Sequence, residues 1–91
     1  MFDWDEANIR HIATHNITPQ EAEQVLRNDP ADGGSQNVDG EERYIDIGVT
    51  DVMRVLVVVS TFRGELTRVV TAYDAPSGFS NLYFRRKGHF L

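Results

Sequence analysis

The stretch from Arg43 to Tyr73 most constrains how this chain folds, because it gathers β-branched residues at the spacing of three successive strands. Ile45, Ile47 and Val49 alternate with polar neighbours, which predicts a first strand over about Arg43–Val49. Thr50-Asp51 supplies a turn. Val55–Val59 is apolar at every position, so the second strand, about Met53–Phe62, reads as the central one, buried on both faces. Gly64 marks a tight hairpin of Arg63-Gly64 or Arg63-Gly64-Glu65. The third strand follows at about Leu66–Tyr73.

What precedes this stretch reads as helical. Asp3 or Asp5 can cap a helix over Asp5–His15, in which Asn8, His11 and His15 share one stripe. Thr18, Pro19 and Glu21 form the signature of a second helix start, because a hydroxyl cap, a proline in the first turn and a glutamate three residues on satisfy the free amides there. That helix spans about Pro19–Asn28 and stops before Pro30. Ala31–Gly40 reads as a loop with a short edge strand at Ser35–Val38. After the strands, Phe79–Lys87 reads as a short helix capped by Ser77. The fold class is α+β: two N-terminal helices on an antiparallel sheet of three to four strands, with a short C-terminal helix.

Ninety-one residues make one domain with a thin core. The net charge of −5 argues against general nucleic-acid binding, since phosphate binding leaves a basic footprint. There are no cysteines, so neither disulfides nor thiolate metal sites arise. No signal peptide or apolar run of about 18 residues is present, which predicts a soluble, cytoplasmic protein without membrane contact.

The order of the short motifs resembles the BrnT-like toxin family. The opening carries Trp4-Asp5, Asn8, His11-Ile12, His15 and Ile17-Thr18-Pro19-Gln20-Glu21-Ala22. The middle carries Arg43-Tyr44, Ile47-Gly48, Arg54, the valine run, Thr61, Arg63 and Arg68-Val69-Val70, and Leu82-Tyr83 stands near the end. The resemblance implies a RelE-like fold and a ribonuclease toxin of a type II toxin–antitoxin pair, neutralised by a DNA-binding antitoxin. This chain is a divergent member. Where the family has an Ala-Arg pair and then a basic helix, it has Ala72-Tyr73 followed by Asp74, Pro76, Ser77 and Gly78. Asn16 replaces a glycine and can take the same left-handed conformation.

Metal-independent RNA cleavage needs a base for the 2′-hydroxyl proton and cations for the charged phosphorane. The candidate catalytic set is Arg63, Arg68, His11, Glu65 and Tyr73. The arginines offer planar forks matched to phosphate, and His11 offers a base or acid. The alternative for Arg63 and Arg68 is a solvated sheet face, with Glu65 pairing one of them. His11 and His15 also have the i, i+4 spacing of a helical metal site, but no HExxH pattern is present, and the next histidine is His89, so no metal or other cofactor is expected. His15 would otherwise sit near the helix end and favour its dipole. Trp4 is expected to anchor the first helix in the core.

The expected partners are a cognate antitoxin and, if the chain is catalytic, RNA. Either a homodimer or a monomer fits, and an unpaired outer strand offers an edge for strand addition. The alternative function is a non-catalytic BrnT-like binding protein that has lost its phosphate clamp. Arg63, Arg68, Arg85 and Arg86 gathered in one basic patch would favour cleavage; scattered arginines would favour binding alone.

Overall fold

A computed structural model describes residues 1–88. It contains α1 (Glu6–Ala13), α2 (Pro19–Arg27), β1 (Ala31–Val38), β2 (Glu41–Val49), β3 (Val55–Arg63), β4 (Leu66–Asp74) and α3 (Ser77–Arg86). The strands form one antiparallel meander in the order β1-β2-β3-β4. No helix among the described residues is long and apolar enough to cross a membrane.

Both N-terminal helices start with reciprocal caps. The Asp5 carboxylate accepts the Asn8 amide at 3.2 Å, while the Asn8 side chain accepts the Asp5 amide at 2.8 Å. Thr18 and Glu21 do the same for α2, as the sequence predicts. Helix α1 is shorter than expected. It ends at Ala13, Thr14 caps it, and Asn16 turns the chain at φ 60°. His15 therefore lies past the helix and does not occupy its last turn.

The segment expected as a loop is strand from Ala31 onward. Ala31 pairs with Ile47 and Asp32 with Asp46, and the register shifts before Ser35. Gly33-Gly34 sits in that shift, with Gly34 at φ 100°, so the chain bulges and stays in the sheet. Ala31, 5% exposed, pins this early part against the core. The β2–β3 connection is longer than Thr50-Asp51. The Thr50 amide donates to the Arg54 carbonyl at 2.9 Å and Met53 takes φ 66°, which delays β3 to Val55. In the β3–β4 hairpin Arg63 pairs with Leu66, so the turn is Gly64-Glu65. Gly64 at φ 61° fits the first position of a type II′ turn, which needs a glycine there. Helix α3 begins two residues before Phe79. Ser77 is its first residue and not its cap, since the chain enters through Pro76 with no side-chain cap bond.

The sheet separates two apolar layers. Ile12, Ile17, Ala22 and Val25 pack on Leu56, Val58, Val69 and Ala72, with Trp4 against them; its indole donates to Glu23 at 2.7 Å. On the opposite face Tyr83, with Phe79 and Leu82, covers Ala31, Ile47, Val49 and Val57. Each large aliphatic buried this way contributes about 1.5–3 kcal/mol. Neither layer covers its whole face, and the two uncovered ends carry the polar features described below.

The outer edge of β4 is not left open as expected. Phe2 forms a parallel bridge with Thr67, whose amide donates to the Met1 carbonyl at 2.7 Å and whose carbonyl accepts the Asp3 amide at 2.9 Å. The Asn8 side chain takes the Val69 carbonyl at 3.1 Å. Residues 1–3 thus act as a strap along that edge.

Arg54 ties the helical layer to the sheet. Its guanidinium donates to both Asp74 oxygens at 2.8 and 3.1 Å, to the Asn16 carbonyl at 2.9 Å and to Glu21 at 3.1 Å. The Arg54 bonds hold the Asp74 carboxyl below its usual range, and the Thr18 amide, then Arg54, does so for Glu21. A carboxylate with a depressed folded pKa stabilises the fold above its unfolded value, and that stability is lost as pH falls through the folded value. Stability is therefore expected to decline below roughly pH 4. In urea titrations at stepped pH, Arg54→Met should be less stable at neutral pH by about 1–3 kcal/mol and show a shallower acid decline.

Candidate active site

Sheet register brings together residues that lie far apart in sequence. Arg68 pairs with Thr61, on the face that carries Val57 and Val59. Arg43 and Glu41 continue the alternation of Ile45 and Ile47 on that same face, beyond the reach of α3. Arg63 lies at the hairpin end of β3. Helix α1 runs beside β4 and brings Asn8 and His11 to the same place. The result is an open cleft of about 230 Å³ lined by His11, Asn8, Glu41, Arg43, Arg63 and Arg68.

Every guanidinium in the cleft carries a carboxylate. Glu41 bridges two of them, accepting from Arg43 Nε at 3.1 Å and from Arg63 Nη2 at 3.0 Å. Arg68 grips both Asp5 oxygens at 3.1 and 3.2 Å and lies 3.4 Å from Asp3. The Arg43 bond, then Arg63, holds the Glu41 carboxyl below its usual range, and the Arg68 bond does the same for Asp5. Three arginines thus face three carboxylates, and the cleft is close to neutral. His11 Nε2 lies 3.0 Å from Thr71 Oγ1, a contact that fixes the ring at the rim of the cleft. Such a site combines a proton acceptor with forks that can turn from carboxylate to phosphate, because both ligands present paired oxygens to a planar donor.

A family model described as the ribonuclease toxin BrnT of type II toxin–antitoxin systems matches residues 4–77. The chain belongs to the BrnT toxin family. The match covers α1, α2, all four strands and every residue of the cleft. In this BrnT chain it ends at the first residue of α3. No curated protein matches the chain.

Of the residues singled out in the sequence, Arg63, Arg68 and His11 meet in the BrnT cleft. Glu65 does not. It sits exposed in the hairpin turn, and the expected pairing of an arginine with Glu65 is replaced by Glu41 on Arg63 and Asp5 on Arg68. Tyr73 is also elsewhere, packed against the α3 layer with its ring centroid 6.3 Å from that of His15. The His11 and His15 rings are 5.7 Å apart, and among the described residues no group of three His, Asp or Glu is placed to hold a metal ion. His89 lies outside the described residues.

The basic residues do not form a single patch. Arg86 donates to the Asp32 carbonyl and Lys87 pairs with Asp29 at 2.9 Å, both near the start of β1, while Arg63 and Arg68 stand at the β3–β4 side. Sequence reasoning named Arg43 and Asn8 as carriers of the resemblance but left them, with Glu41, out of the candidate site. Arg43 was within reach of a register argument, since it stands an even number of residues before Ile45 and Ile47 on a strand whose core face was evident. Glu41 lay just before the predicted strand start, and the role of Asn8 requires the α1–β4 packing.

Proposed function

We propose that this BrnT-family protein cleaves RNA without a metal ion at the His11–Arg63–Arg68 cleft and is kept inactive by a cognate antitoxin in the cytoplasm. The observation that carries the reading is the convergence of His11 with Arg43, Arg63 and Arg68 around one opening. In the proposed reaction His11 takes the 2′-hydroxyl proton, O2′ attacks the adjacent phosphorus, and the bond to O5′ breaks. A 2′,3′-cyclic phosphate and a 5′-hydroxyl result, the latter protonated by the imidazolium or by water. Arg63 and Arg68, with Arg43 beside them, bind the equatorial oxygens as negative charge develops. RNA phosphate must then displace Glu41 and Asp5, which gives the free protein a high threshold for substrate.

That same charge balance favours a second reading, a non-catalytic binding protein in which the carboxylates hold the arginines permanently. Controlled expression decides between the two, with growth and bulk RNA followed for wild type and an Arg63→Ala/Arg68→Ala double variant. Growth arrest and RNA loss from wild type alone are expected. Arrest by both proteins would keep the toxin and remove these arginines from the mechanism. No effect from folded wild type would leave the binding protein.

A further inference from the structure

A second opening lies on the other face of the sheet. Helices α1 and α2 cover Leu56 and Val58 but stop short of the far end of that face, where Tyr44, Asp46, Ser60 and Phe62 line a groove of about 640 Å³ with Phe2 and Asp32 at its sides. Phe62 is 61% exposed and Tyr44 40%, and their rings lie 5.5 Å apart. Asp32 and Asp46 are direct partners across β1 and β2. Like charges placed opposite each other in a ladder destabilise it. The Asp32 carboxylate accepts one bond, from the Gly34 amide at 2.8 Å. The Asp46 carboxylate has no hydrogen-bond or ion-pair partner among the described residues. Burial, then the neighbouring Asp32, holds the Asp46 carboxyl above its usual range, which marks this arrangement as unfavourable in the free protein.

We infer that this groove receives an arginine or lysine side chain from a partner polypeptide, its cationic head between Asp46 and Asp32 and its stem along Tyr44 and Phe62. A cation over aromatic faces is attracted by the ring quadrupoles, and the attraction grows as water is excluded. The same cation ends the repulsion between the two carboxylates. Apolar neighbours in the partner segment would cover the exposed rings. The charge complementarity selects a basic protein segment and disfavours RNA, whose phosphates would face two carboxylates. The groove and the arginine cleft lie on opposite faces of the sheet, so one protein can hold both ligands at once.

The test is an amide-shift titration of the full ¹⁵N-labelled chain with an acetylated, amidated peptide of alternating leucine and arginine. Two control peptides replace arginine with neutral, near-isosteric citrulline or with glutamate. The arginine peptide is expected to move the amides of Tyr44, Asp46, Ser60 and Phe62, and to bind about tenfold more tightly than the citrulline peptide. Asp46→Asn should erase that difference, as should a Tyr44→Ser/Phe62→Ser variant altered only at exposed positions. Equal binding of all three peptides would overturn the inference, as would shifts centred on Glu41 and Asp5, no shifts at all, or a free chain that already dimerises through Tyr44 and Phe62. The readout involves no RNA, so failure here leaves the ribonuclease reading standing.

Discussion

His11→Gln is expected to lower the rate of RNA cleavage by about 10²–10⁴-fold, the usual contribution of a positioned general base. His11 is exposed at the cleft rim and its ring contacts Thr71 rather than the core, so glutamine should leave the thermal midpoint almost unchanged. Single-turnover cleavage of a short labelled RNA measures the effect. Thr71→Val should be milder, because it releases the ring without removing it. Wild-type rates from His11→Gln would assign the base elsewhere and reduce the cleft to a phosphate-binding surface.

Asn8→Leu is expected to destabilise the fold by about 2–4 kcal/mol, the sum of a lost helix cap and stranded buried carbonyls. Asn8 is 4% exposed and carries four bonds. Its backbone amide and side-chain oxygen close the cap with Asp5, and its side-chain nitrogen donates to the Asp3 carbonyl at 2.9 Å and the Val69 carbonyl at 3.1 Å. Leucine has similar bulk but makes none of the side-chain bonds. The loss should reach the site as well, because Asp3 and Asp5 are the carboxylates on Arg68. Urea denaturation measures the stability, and hydrogen exchange at Thr67 and Val69 shows whether the strap has detached. A loss below about 0.5 kcal/mol would mean that these bonds are exchanged for water without penalty.

Periodicity and caps made most of the fold legible. The valine run could only be interior strand, and Thr18-Pro19 with Glu21 fixed a helix start that the structure places at Pro19. Turns and edges were harder. Nothing in Ala31–Ser35 alternates in hydrophobicity; that segment is strand because β2 offers it a partner and because two glycines accept a bulge. The site was legible as far as residue type could take it. Arginine and histidine suggested the chemistry, and the resemblance pointed to Arg63 and Arg68. Which carboxylates would face them depended on register and on a cap, so Glu65, nearest in sequence, was the wrong choice and Glu41, 22 residues from Arg63, the actual partner.

The strap on β4 also sets a schedule. Asp5 meets Arg68 across 63 residues of chain, and Phe2 meets Thr67 across a similar span. At ribosomal rates of about 5–20 residues per second, the first residues wait roughly 3–13 s before their strand is made. Until then α1 lacks the carbonyl that buries Asn8, and the cleft lacks one of its three arginines. A nascent chain therefore cannot complete the cleft before Arg68 itself has been made.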